Sequence, residues 1–169
     1  MNYTFQSYMQ QLELLAFFAG YPLLYAVVSV ASEKQLLKNI VKTNPVSLLP
    51  YSYALMAALY LGLQFKTYYS ANTLIEQFPL PLIVIWGLLA NLFWLPFLAK
   101  RPVLSLLHSL IFLFPIIKDI FLQVTKYRAE SDMVSNDMKL YTISVVIHIV
   151  SFILVSLMYY LYRLFRIKK

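Results

Sequence analysis

Between Pro79 and Gln123 two long apolar runs are separated only by the basic break Lys100-Arg101-Pro102. Each run is close to the ~20 apolar residues that a ~30 Å hydrocarbon core requires. The break supplies a turn together with positive charge that is retained on the cytoplasmic face of a membrane. The stretch therefore reads as a transmembrane helical hairpin, and the remainder of the chain must be compatible with it. It is: of 169 residues 61% are hydrophobic, 12% are charged and only three are glycine, with a mean hydropathy of +0.70. A chain this small leaves much of its surface exposed, so that much apolar area cannot be hidden in one water-soluble core. The expected class is all-α, a polytopic integral membrane helical bundle forming a single transmembrane domain over residues 1–169, with the lipid bilayer as its solvent.

The formal net charge is +7. In a soluble protein that would suggest nucleic acid, but here the bases sit in short loops between apolar runs, which is the pattern of membrane topology, and no nucleic-acid partner is expected. Cysteine is absent, which excludes disulfides, thiolate metal sites and a thiol nucleophile. The first apolar run has no basic segment before it and no Ala-x-Ala site after it, so it reads as a retained helix rather than a signal peptide.

In chain order the spacing predicts five spans at about 12–31, 46–65, 79–99, 103–124 and 140–164. A basic loop with Lys34, Lys38 and Lys42 follows the first, and a polar loop at 125–139 precedes the last. The second span is the least regular, with Pro50 in its first turn, where proline is tolerated. Alternating the loops places Lys34, Lys38, Lys42, Lys100, Arg101 and the basic C-terminus on one side. Positive-inside then puts the N-terminus outside and the C-terminus in the cytoplasm. A re-entrant second segment would separate the two basic clusters, so charge favours five spans over four.

Ionisable groups inside spans are costly and usually face the protein interior or water, which makes each a functional hypothesis. Glu13, His108, Lys118, Asp119 and His148 qualify. Ser105, His108, Phe112, Pro115 and Asp119 follow spacings of three and four along one helical stripe. Ser144, His148 and Ser151 repeat the pattern, as do Gly87, Asn91 and Trp94, and Tyr53, Ala57, Tyr60 and Gln64. Two readings follow. The faces line a cavity for an amphipathic ligand, or they are interhelical packing, which in membranes uses small and polar residues. The candidate ligand-binding residues are Asn91, Trp94, His108, Asp119, His148, Tyr53 and Tyr60.

A haem clamped by His108 and His148 needs both at one depth, whereas the ~1.5 Å rise per residue sets them roughly 10 Å apart. No further ligands lie at metal spacing, so neither metal nor cofactor is expected. Ala16 and Gly20 form a small-xxx-small patch suited to helix docking. No nucleophile elbow, carboxylate pair, HExxH motif or phosphate-cradling loop is present, and no enzymatic activity is expected.

The segment Asn91-Leu92-Phe93-Trp94-Leu95-Pro96-Phe97 resembles the Asn-x-x-Trp-x-Pro segment of the translocator protein (tryptophan-rich sensory protein) family, and Pro50, Leu55 and Ala58 echo that family's second span. The resemblance implies a five-span bundle whose cavity takes porphyrins or sterol-like lipids. The chain departs from the family in having only Trp86 and Trp94 and in lacking the tryptophan- and proline-rich loop before span two. His108-Ser109 with Pro115 faintly resembles the fourth span of the sigma-2 receptor and sterol isomerase group, but Ala90 stands where that group has an acid, so isomerase activity is not implied.

The reading that follows is a non-catalytic multi-pass membrane protein whose interior binds a lipid, sterol or porphyrin-like molecule for sensing or transport. The alternative is an accessory or assembly subunit with a protein partner, or a homo-oligomer.

Overall fold

A computed structural model describes residues 17–33, 44–70, 82–125 and 131–167. These residues are helical throughout apart from short turns, with no strand among them. We number the helices α1 (Tyr21–Glu33), α2 (Leu49–Ser70), α3 (Leu82–Asn91), α4 (Pro96–Ala99), α5 (Pro102–Thr125) and α6 (Ser131–Ile167).

Two helices are long and apolar enough to cross a membrane, Pro45–Lys66 and Lys139–Arg166, while Val84–Trp94 and Pro102–Ile111 are shorter apolar segments. The segment with the least regular pattern is thus one of the two that qualify. Its entry explains why: Asn44 Oδ1 accepts from the Val46 N–H at 3.2 Å, and Pro45 opens a 3₁₀ turn that leads directly into α2. Proline in a first turn sacrifices no helical hydrogen bond. Ser32, near the end of α1, donates to the same Asn44 oxygen at 3.2 Å and ties the two helices together.

α2 is the central element. It packs on α3 and α6, meets α5, and touches the 3₁₀ turns at Pro45–Leu48 and Leu92–Trp94. The window Pro45–Lys66 is 56% buried, against 22% for Lys139–Arg166, so α6 lies at the periphery and shows its apolar face outward. Buried positions recur at helical spacing: Tyr21, Leu24 and Val28 on α1; Leu49, Tyr53, Ala57, Tyr60 and Gln64 on α2; Ser105 and Ser109 on α5; Ser144, His148, Ser151 and Val155 on α6.

Three expected boundaries need correction. The continuous span 12–31 is interrupted: a turn at Ala19–Gly20 follows the helical residues Phe17 and Phe18, and α1 starts afresh at Tyr21. The span 79–99 is not one helix either. α3 ends at Asn91, Leu92–Trp94 form a 3₁₀ turn, and Leu95 is extended at φ −72° and ψ 127° before α4. Pro96 is the cause, because it disfavours the helical conformation of the residue before it and offers no N–H of its own. Last, most of the expected polar loop 125–139 is helix. No glycine or proline interrupts 131–167, and α6 runs for 37 residues, about 55 Å at the helical rise. The basic loop 34–43 lies outside the described residues.

Of the small-residue patch on the first span, Gly20 has a definite partner in this chain, while Ala16 lies outside the described residues. A Cβ on Gly20 would stand 2.5 Å from the Ser144 carbonyl carbon and from the Val145 nitrogen. No side chain fits there, so glycine is required for α1 and α6 to cross. At Gly62, by contrast, nothing lies within 4 Å of the corresponding position. Gly20→Ala is therefore expected to destabilise the protein by about 1–3 kcal/mol through overpacking, while Gly62→Ala leaves stability equal or up to about 1 kcal/mol higher from helix propensity. Thermal unfolding of the two purified variants checks this, and equal melting temperatures would refute the crossing as described.

Candidate functional site

Tyr53, fully buried on α2, is the hub of an aromatic cluster. The rings of Tyr21, His108, Phe18 and Phe93 approach it at centroid distances of 4.5, 5.7, 5.8 and 5.9 Å. His148 lies against its face at 6.4 Å, with the planes 17° apart. Most of these pairs are tilted or edge-on, the arrangements favoured by ring quadrupoles and worth ~0.5–1.5 kcal/mol each beyond burial. The Tyr53 hydroxyl and His108 Nδ1 share a hydrogen bond of 2.7 Å. Tyr53 thus holds one histidine through its hydroxyl and the other through its ring.

Both backbone interruptions feed this cluster. Phe18 and Tyr21 flank the Ala19–Gly20 turn, and Phe93 belongs to the 3₁₀ turn before Pro96. The Tyr21 hydroxyl lies 2.7 Å from Ser105 Oγ, which itself donates to the Pro102 carbonyl at 2.7 Å. A serine hydroxyl has one proton, so Tyr21 is the donor of the first bond. Gly20 N–H, released by the turn, donates to Ser144 Oγ at 2.8 Å, and Ser151 Oγ–H donates across to the Ser52 carbonyl at 2.9 Å. Trp86 stacks on His108 with centroids 4.6 Å apart and planes at 24°.

His148 is different. It is 0% exposed, and neither ring nitrogen makes a hydrogen bond to any described residue. The backbone of Phe17 comes near the imidazole without meeting hydrogen-bond geometry. Two turns along the same helix, Ser156 Oγ is likewise buried without a partner among the described residues.

Of the residues singled out from the sequence, Tyr53, His108 and His148 are brought together. Tyr60 is one ring removed, 5.3 Å from Phe18. Asn91 is not part of the cluster, since its Nδ2 donates back to the Gly87 carbonyl of its own helix at 3.1 Å. Trp94 faces outward, 44% exposed, with its ring 6.1 Å from that of Tyr51. Asp119 lies on α5, but its side chain is outside the described residues, and Glu13 lies outside them altogether. The spacing does not single out Phe18, Tyr21, Trp86 or Phe93 as cluster residues; for Tyr21 the available signal is Gly20 before it and Pro22 after it, the composition of a helix start.

The Tyr21 and Tyr53 hydroxyls are engaged within the protein, and both His148 nitrogens are buried without a hydrogen bond to a described residue. Among the described residues no group of three or more His, Cys, Asp or Glu is placed to hold a metal ion. No protein-family model matches the chain, and no curated protein or solved structure matches it.

Removing single hydroxyls separates the two tyrosines. Tyr53→Phe is expected to cost about 1 kcal/mol, the net value of one hydrogen bond. Tyr21→Phe should cost less, because Ser105 keeps its bond to Pro102. Tyr53→Ala should cost ~3–5 kcal/mol by emptying the centre of the cluster. Denaturant unfolding of the three variants gives the order, and a Tyr53→Ala variant as stable as Tyr53→Phe would contradict the hub.

Proposed function

We propose that this chain is a non-catalytic, five-span integral membrane protein whose interior binds a hydrophobic or amphipathic small molecule for sensing or transport. The observation that carries the reading is the convergence of two helix interruptions on the Tyr53 cluster. Irregular backbone at membrane depth is tolerated where it is buried in protein or lines a cavity, and broken helices of membrane proteins commonly border binding sites. The second interruption falls within Asn91 to Phe97, the segment of the translocator-like resemblance, of which Phe93 reaches the cluster. The apolar runs and the distribution of basic residues support five spans, with the N-terminus outside and the C-terminus cytoplasmic.

A second reading, an accessory subunit docked through α6, is favoured by one observation. The outward face of α6, including Ile143, Val146, Val150, Ile153 and Leu157, is exposed along most of its length.

Native mass spectrometry of the protein purified in mild detergent tests the two. The ligand reading expects a protomer or small homo-oligomer retaining a small molecule; a larger assembly with a second polypeptide would transfer the function to that partner. The absence of cysteine makes topology directly measurable. Single cysteines at Arg101 and Lys168 should react with an impermeant maleimide from one side of the membrane, and one at Arg128 from the other. Labelling of Arg101 and Lys168 from opposite sides would rule out the proposed topology.

A further inference from the structure

We infer that His148 is the polar anchor for an apolar molecule bearing one neutral hydroxyl, an inference that rests on the ligand-binding reading above and narrows its chemistry. Buried polar groups in folded proteins are almost always hydrogen-bonded, and an exception calls for a partner. The neighbouring polar groups are already engaged: Ser144 Oγ with Gly20 N–H, Tyr53 with His108, Tyr21 with Ser105, and Ser151 with Ser52. His148, enclosed by Tyr21 at 5.6 Å and Tyr53 at 6.4 Å, is bonded to none of them, and the nearby Phe17 backbone does not meet hydrogen-bond geometry with either ring nitrogen.

The chemistry of the missing partner follows from the imidazole. In its neutral form it presents one N–H donor and one acceptor nitrogen. A hydroxyl is both donor and acceptor and can answer either. A carboxylate only accepts and an ammonium only donates, and each would bring a charge among rings where the described neighbours of His148 offer no counter-charge. The body of the ligand must be apolar, because the groups shown against the imidazole are the rings of Tyr21 and Tyr53. The turn at Ala19–Gly20 sits against Ser144, one helical turn from His148, and interrupts the helix beside it.

The test uses the full chain in lipid nanodiscs and three photoreactive probes that share one sixteen-carbon, diazirine-bearing chain type: an alcohol, a carboxylic acid and a hydrocarbon. The alcohol should label peptides containing Tyr21 or His148 roughly tenfold more than the other two, the factor expected from a hydrogen bond to a buried group. Excess hexadecanol should suppress the labelling. His148→Phe, which keeps a ring but removes both nitrogens, should lower labelling by a similar factor, and His148→Gln, a neutral donor and acceptor, should restore part of it. Competition by hexadecanol in the unaltered protein stands as the deciding measurement if His148→Phe does not fold. Equal interior labelling by all three probes, or labelling unchanged in His148→Phe, overturns the hydroxyl inference while leaving a ligand-binding interior in place. No interior labelling by any probe, together with no retained molecule in the native mass spectrum, overturns both.

Discussion

The contact on which the rest of this structure depends is the approach of the Gly20 backbone to the backbone of Ser144. Two requirements meet there. The turn at Ala19–Gly20 frees an N–H from helical bonding, and a buried N–H without an acceptor costs ~1–3 kcal/mol; Ser144 Oγ supplies the acceptor. The oxygen can reach it only because residue 20 has no Cβ. Since Phe18 precedes the turn and Tyr21 follows it, this one crossing sets the position of two of the rings around Tyr53. The aromatic cluster is therefore downstream of a backbone contact, and its geometry is only as firm as that contact.

Serine does most of the remaining polar work, in two ways. Ser52, Ser105 and Ser109 donate to carbonyls three residues earlier in their own helices. Such back-bonding removes a donor from the interface and leaves a small, flat surface over which another helix can approach closely. Ser144 and Ser151 instead reach between elements. Ser105 combines the two roles, donating within α5 while accepting from Tyr21. Against these matched donors and acceptors, both nitrogens of His148, like Ser156 Oγ farther along α6, lack a hydrogen bond to any described residue.

Much of this interior was legible from spacing. Tyr53, Ala57, Tyr60 and Gln64, and Ser144, His148 and Ser151, lie on regular helices, where offsets of three and four reliably share a face, and all are buried. Legibility failed where the backbone left the α-helix. Trp94 is three residues after Asn91 and seven after Gly87, an inward position on an ideal helix. The 3₁₀ turn advances each residue by about 120° rather than about 100°, and the phase slips so that Phe93 turns in and Trp94 turns out. Length and hydropathy hid both interruptions, because an apolar run of twenty residues looks the same whether or not a turn divides it; Gly20-Tyr21-Pro22 and Leu95-Pro96 were the local signals that should have outweighed it. The polar stretch 131–139 erred in the other direction, polarity suggesting a loop where the lack of glycine and proline allowed a helix.

The two histidines show how one side chain can divide an interior into parts with different roles. His108 is only partly buried, stacked on Trp86, and its Nδ1 is held by the Tyr53 hydroxyl. His148 is fully enclosed and meets Tyr53 only through ring faces. Hydrogen bonds are directional and fix orientation, whereas stacked rings can slide at modest cost. Any molecule reaching His148 must therefore displace ring contacts rather than break the Tyr53–His108 bond. α2 is packed on several sides and carries the hub, so it is the poorest candidate for movement. The chain around Ala19–Gly20 differs: its helix is interrupted, and it is held to α6 by the Gly20 N–H to Ser144 bond and by the close backbone approach at that glycine.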